Sequence, residues 1–168
     1  KEAVGIYPLL KDDTCSFLAV DLDGRTWQLD AAALVEACAD RGVPAAVELS
    51  RSGEGAHVWV FFAAAVTASS ARRLGALLLR DAMARRGELD LASYDRLFPN
   101  QDLLPHKGFG NLIALPLQGR CREAGTSVFL DTATFEPARD QWALLSGLAR
   151  LLPERLEELL AEAEQLPV

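Results

Sequence analysis

Asp21 and Asp23 stand one residue apart at the exit of an apolar run, Phe17-Leu18-Ala19-Val20-Asp21-Leu22-Asp23-Gly24. A run of this kind reads as a buried strand. On a strand, residues i and i+2 share a face, so the two carboxylates converge. Like charges that close are costly unless a cation or a partner neutralises them, and a divalent ion with a taste for oxygen suits the pair. A strand that merely runs into an Asp-Gly turn is the plainer alternative.

A second segment, Glu48-Leu49-Ser50-Arg51-Ser52-Gly53-Glu54-Gly55-Ala56-His57-Val58-Trp59, joins two apolar stretches through small residues. Gly53 and Gly55 let backbone N–H groups approach an anion closely, as a phosphate cradle requires. Arg51 brings a planar fork of donors suited to phosphate, and Ser52 a hydroxyl. His57, turned toward the loop, would donate to a phosphate oxygen. The alternative is a hairpin with a half-buried histidine. In a third segment, Ser93-Tyr94-Asp95-Arg96, Asp95 ends a short apolar stretch and offers a third carboxylate. Phosphoryl transfer at two metal ions wants several acidic ligands, because the ions sit about 3.5–4 Å apart and share a bridging group. A turn carrying a surface Asp–Arg pair is the alternative there. A fourth segment, Gly108-Phe109-Gly110-Asn111 through Gln118, mixes glycines, an aromatic ring and amides that could contact a base, a sugar or a template strand.

The elements that must hold these residues follow from periodicity and punctuation. Strands are expected at residues 5–9, 15–21, 45–49, 57–62, 89–94, 111–115 and 128–131. Helices are expected over residues 30–41, with Asp30 as N-cap and Gly42 as stop, and over 67–86, capped by Thr67 and ended at Gly87. Two more are expected over 140–150 and 153–165, the last opened by Pro153. Residues 96–110 read as irregular. The core order of strand, helix, strand, strand, helix, strand is the ferredoxin-like split arrangement, an α+β fold that hosts many unrelated functions.

Composition bounds the rest. The chain has 168 residues, half of them hydrophobic and 24% charged, which fits one globular domain. No apolar run approaches the roughly 18 residues that span a membrane, and no secretory pattern opens the chain. It starts at Lys1, and is read as a single catalytic domain over residues 1–168, excised from a larger protein. Cys15, Cys38 and Cys121 have no metal-ligand spacing, and Cys15 and Cys38 read as inert core thiols, which fits a reducing cytoplasm. The net charge of −7 argues against a broad, nonspecific nucleic-acid binder. Much of that charge crowds residues 154–164, and Arg72, Arg73, Arg80, Arg85 and Arg86 form a basic cluster. Trp27, Trp59 and Trp142 read as core residues rather than stacking platforms.

Together these segments resemble the archaeo-eukaryotic primase superfamily, the prim-pol group. That group carries an acidic pair, then a serine-to-histidine loop, then a third acid. The matching residues here are Asp21 and Asp23, then Ser52 and His57, then Asp95. The chain looks closest to the primase-polymerase domains of prokaryotic conflict systems, TOTE-type and CRISPR-associated, and the resemblance covers most of its length. It implies an RRM/ferredoxin-like palm with a βαββαβ core, additional strands and C-terminal helices. It implies a template-dependent nucleotidyl transferase, a DNA primase or polymerase, joining dNTPs or NTPs to a 3′-hydroxyl with release of pyrophosphate. Two Mn2+ or Mg2+ ions would sit on Asp21, Asp23 and Asp95, and Arg51, Ser52, Gly53, Gly55 and His57 would grip the triphosphate. The implied partners are a DNA template and primer, with a fused or associated helicase, nuclease or CRISPR integration machinery, and no membrane. Leu22, Glu54 and Thr126 depart from the pattern, where an aromatic, a lysine or glycine, and an asparagine are expected.

Two other readings stay open at this point. Val20-Asp21-Leu22-Asp23-Gly24-Arg25-Thr26 is also similar to the first motif of haloacid-dehalogenase phosphatases, in which Asp21 would be the nucleophile. Such enzymes need a later lysine and a further acidic cluster, and the chain offers only Lys1, Lys11 and Lys107, with Asp131 a lone acid. The third reading is a nucleotide-binding module whose catalysis has lapsed.

Overall fold

The computed structural model describes residues 3–87 and 91–164. Among them, five helices accompany two antiparallel sheets, a mixed α+β architecture. The larger sheet has the order β5-β2-β4-β3-β7, built from β2 (Thr14–Asp23), β3 (Ala46–Leu49), β4 (Gly55–Thr67), β5 (Tyr94–Phe98) and β7 (Val128–Leu130). The smaller pairs β1 (Gly5–Ile6) with β6 (Ile113–Ala114). The helices are α1 (Trp27–Asp40), α2 (Ala68–Arg86), α3 (Gly119–Glu123), α4 (Gln141–Gly147) and α5 (Pro153–Glu164).

Alternation along β2 divides the sheet into two faces. Leu18, Val20 and Leu22 point into a large core with Ala31, Leu34, Leu74, Leu78, Leu156 and Leu159 from α1, α2 and α5. Each fully buried leucine contributes about 1.5–3 kcal/mol. Phe17 and Ala19 point the other way, into a smaller core with Ala46, Trp59, Phe98, Ile113 and Phe129. Leu144, Leu145 and Leu148 pack against that smaller core. Asp21 and Asp23 continue this second face past the end of its apolar cover.

α2 has the expected ends. The Thr67 hydroxyl accepts from the Ser70 amide, and Gly87 closes the helix in the left-handed conformation at φ 67°. Leu22, at the position where the family pattern has an aromatic, is fully buried on the helical face. Cys15 and Cys38 are buried free thiols, as expected, and burial pushes both up to about 12.

Three expectations need correction, and the basic cluster finds acidic partners. Asp30 is not an N-cap: α1 starts at Trp27, and Asp30 lies in its first turn, fully buried. There it accepts from the Ser93 hydroxyl at 2.6 Å, from Arg86 Nε at 3.0 Å and from the Thr26 hydroxyl at 3.1 Å. The strand expected over 89–94 lies later, at Tyr94–Phe98. Pairing with β2 draws the polar Asp95-Arg96 segment into the sheet, while residues 88–90 fall outside the described residues. Trp142 is 60% exposed rather than core, because seven-residue α4 buries its Leu144 and Leu145 side instead. The basic cluster is largely neutralised: Arg72 pairs with Asp102, Arg73 with Glu164, Arg80 with Asp81, Arg85 with Asp40 and Glu36, and Arg86 with Asp30. No helix among the described residues is long and apolar enough to cross a membrane.

Candidate functional site

β2 is flanked by β4 on one side and β5 on the other, so each neighbour lays side chains beside its two acids. In the β2–β4 ladder, Asp21 stands opposite His57 and Asp23 opposite Gly55. In the β2–β5 ladder, Asp21 stands opposite Arg96, and the next pair is Leu22 with Tyr94. Asp95 is therefore the extra residue of a β-bulge. Regular alternation would have put it across from Leu22, on the buried helical face. The bulge re-aims it, as bulges do beside functional sites.

The result is a carboxylate trio. Asp21, Asp23 and Asp95 each bring an oxygen within 4.8 Å of the others, with Asp21 half-buried and the other two exposed. The donor set is all hard oxygen, which suits Mg2+ or Mn2+ rather than a soft ion. The crowding is visible in Asp23, whose carboxyl is raised above its usual range by burial and by the charges of Asp21 and Asp95. Arg96 Nε holds Asp95 Oδ2 at 2.5 Å.

His57 lies in the sheet, 8% exposed, beside the trio and not out on the loop. Its Nε2 is 3.4 Å from Asp21 Oδ1 and its Nδ1 is 2.8 Å from Glu48 Oε2. Burial alone would lower its pKa, but hydrogen bonds and charge from Asp21 and Glu48 outweigh that and raise it to about 9.

The loop between β3 and β4 is a closed hairpin rather than an open cradle. Ser50 N–H donates to Gly55 O at 2.9 Å, and Gly53 N–H to Ser50 O at 3.0 Å. The Ser50 and Ser52 hydroxyls meet at 2.9 Å, and Ser52 Oγ accepts from the Glu54 amide. Gly24 N–H donates to Glu54 O at 3.2 Å, tying the loop to the end of β2. Arg51 is exposed and has no hydrogen-bond or ion-pair partner among the described residues. Glu54 is exposed. Gly55 is there for steric reasons, since a Cβ would collide with the Asp23 carboxylate and lie 2.5 Å from the Leu22 carbonyl oxygen. The structure thus brings Asp21, Asp23, Asp95 and His57 together, with Gly55 opposite Asp23 and Arg51 and Ser52 on the adjoining loop.

Glu48 and Asp30 escaped sequence reasoning. Glu48 sits in the middle of apolar β3, and a lone acid in such a strand was the available signal. Asp30 reaches Ser93, whose carbonyl accepts from the Asp23 amide at 2.6 Å, so the approach to β5 is anchored from beneath. Asp131, a lone acid in the sequence, accepts from the Ala133 and Thr134 amides in its own turn. A shallow depression lined by Ala37, Asp40, Asp81, Ala84 and Arg85 lies between α1 and α2, on the opposite side of the sheet from the trio.

Comparison with curated proteins gives no match. A family model, the archaeo-eukaryotic primase domain of the TOTE conflict system, matches residues 1–159. That match covers nearly the whole chain, including both strands that carry the trio and the histidine between them. The chain belongs to the archaeo-eukaryotic primase domain family of the TOTE conflict system.

Proposed function

We propose that this chain is a template-dependent nucleotidyl transferase, a DNA primase or polymerase, acting as a single catalytic domain. The observation that carries the reading is the trio of Asp21, Asp23 and Asp95, three strand-borne carboxylates within 4.8 Å of one another. The element order β2-α1-β3-β4-α2-β5, with sheet order β5-β2-β4-β3, supports a ferredoxin-like palm as its framework.

Asp21, Asp23 and Asp95 would hold two Mg2+ or Mn2+ ions. Bound there, the ions would supply activation of a 3′-hydroxyl and neutralisation of the triphosphate and the departing pyrophosphate. The chain's own groups do the rest. His57, fixed beside Asp21, offers Nε2 to a phosphate oxygen. Arg51, without a partner of its own among the described residues, would pair with phosphate as a bidentate fork. Ser52 and the backbone of Gly53 and Gly55 border the same loop. The substrates are dNTPs or NTPs with a DNA primer and template, in a reducing cytoplasm, alongside a helicase, nuclease or CRISPR integration partner.

The test is primer extension with dNTPs and Mn2+, run beside hydrolysis of a phosphomonoester. Extension without hydrolysis is the expected result. Hydrolysis without extension would point instead to Asp21 as a phosphatase nucleophile, and dNTP binding without either activity to a lapsed module.

A further inference from the structure

Glu48 is 1% exposed in β3, opposite His57 in the β3–β4 ladder. A carboxylate there opposes folding unless its hydrogen bonds compensate, and an apolar side chain would suit this strand better. Every donor it meets belongs to the site's side of the sheet. Oε2 accepts from His57 Nδ1 at 2.8 Å and from Trp59 Nε1 at 3.0 Å. Oε1 accepts from the Ser127 hydroxyl at 3.3 Å.

These contacts leave the imidazole one orientation. Its Nδ1–H is committed to Glu48, and the Trp59 ring stands edge-on to it, with centroids 6.0 Å apart at 85°. A flip would bring a C–H to the carboxylate and break the bond. Nε2 is thereby held toward the trio, 3.4 Å from Asp21. A carboxylate that fixes one ring nitrogen so that the other can work is a recurring arrangement around histidine. The Ser127 arm extends the same hold. Ser127 adjoins Thr126, whose methyl lies 3.2 Å from where a Cβ on Gly53 would be. Glu48 therefore links β3, β4 and the 118–127 segment that packs on the phosphate-side loop.

We propose that Glu48 is a positioning residue for nucleotide binding, fixing the His57 ring so that Nε2 faces the triphosphate beside Asp21. The inference rests on the polymerase reading above. It concerns hydrogen-bond geometry and not the charge of Glu48. Glutamine keeps an acceptor for His57 and Trp59, and its amide N–H can donate to Ser127 Oγ. Leucine removes all three.

The experiment is steady-state primer extension with Mn2+ and dNTP by the full chain and by the Glu48→Gln, Glu48→Leu, His57→Ala and Glu48→Leu/His57→Ala variants. Glu48→Gln should stay close to the unmodified chain. Glu48→Leu should raise KM for dNTP by about ten- to hundredfold, with a smaller change in kcat. The double variant should be no worse than His57→Ala, because Glu48 acts through the ring. A Glu48→Leu chain with unchanged KM overturns the inference, and so does a double variant in which the two losses multiply. If Glu48→Leu does not fold, hydrogen exchange of the His57 ring in the unmodified chain decides: a slowly exchanging Nδ1–H, held by the buried Glu48 carboxylate, is expected, and an Nδ1–H in fast exchange with solvent overturns the role. An unmodified chain that neither binds nor incorporates dNTP sinks the polymerase reading itself. Extension by that chain with Glu48→Leu at unchanged KM sinks only the role of Glu48.

Discussion

Gly55→Ala tests whether the trio depends on the close approach of β4 to Asp23. Gly55 is the first residue of β4 and pairs with Asp23, the last of β2. A Cβ at this position lies 2.5 Å from the Leu22 carbonyl oxygen, about 1 Å inside ordinary non-bonded contact of about 3.5 Å. It also collides with the Asp23 carboxylate. The carboxylate can swing aside, but the Leu22 carbonyl is part of the β2 backbone and cannot. Alanine therefore either prises β2 from β4 or drives the Asp23 side chain away from Asp21 and Asp95.

Overpacking of this kind costs about 1–3 kcal/mol. For a chain of this length each kcal/mol is worth about 2–4 °C in Tm. The second consequence is specific to the site: the stabilisation conferred by Mn2+ should fall along with the metal-free Tm. Thermal melts with chelator and with a Mn2+ series read both quantities. Gly53→Ala is the matched control. Gly53 has φ 77° and lies near the Thr126 methyl, so alanine there is strained by about 1–2 kcal/mol but does not touch Asp23. It should lower Tm while leaving the Mn2+ response intact. A Gly55→Ala protein that melts with the unmodified chain and keeps its full Mn2+ response would refute the reasoning.

Asp21→Ala with Asp23→Ala should abolish nucleotide incorporation and the Mn2+-induced rise in Tm while leaving the circular dichroism spectrum unchanged; retained synthesis would remove the trio from the mechanism. At saturating metal, about 100 times Kd, that lost stabilisation is about 2.7 kcal/mol. Asp23→Asn should melt above the unmodified chain in chelator at neutral pH. Burial and repulsion from Asp21 and Asp95 raise the Asp23 carboxyl above 3.8, so the stability tied to its protonated form is present below that value and lost as pH rises through the raised one. A melting series from acid to neutral pH should show the two proteins converging in acid, and a constant gap would discount the repulsion. Asp30→Ala should cost about 1–3 kcal/mol in urea unfolding, because it removes the acceptor of the buried Ser93 hydroxyl ahead of β5; a cost within about 0.5 kcal/mol of zero would show that Ser93 finds another partner.

The sequence was legible where a residue's role is local. Apolar alternation in β2 forces Asp21 and Asp23 onto one face, and Thr67 and Gly87 end α2 by their own conformational preferences. It was illegible where the role depends on distant chain. Asp30 has the chemistry of a helix cap, and only Arg86 and Ser93, 56 and 63 positions away, turn it into a buried anchor. Asp95 is written as part of a polar turn, and pairing with β2 makes it a bulge. Glu48 looks misplaced in an apolar strand until Trp59, His57 and Ser127 are seen to donate to it.

These misplaced acids share one logic of charge. Asp21, Asp23, Asp95 and Glu48 bring four carboxylates to one end of the sheet, and the cations facing them there are His57 and Arg96. Glu48 and one side of Asp21 are met by His57, and Asp95 by Arg96, while the Asp23 carboxyl is raised by burial first and then by the charges of Asp21 and Asp95, which His57 and Arg96 offset only in part. Rigid strands fix that imbalance: the ladders on both sides of β2 hold the trio, so repulsion cannot be relieved by simply splaying the chain. A site whose backbone is over-determined and whose charge is under-neutralised is preorganised for multivalent cations. The same preorganisation explains why Gly55 must lack a side chain. Any group that let Asp23 retreat would relax the repulsion, and with it the affinity that the repulsion creates.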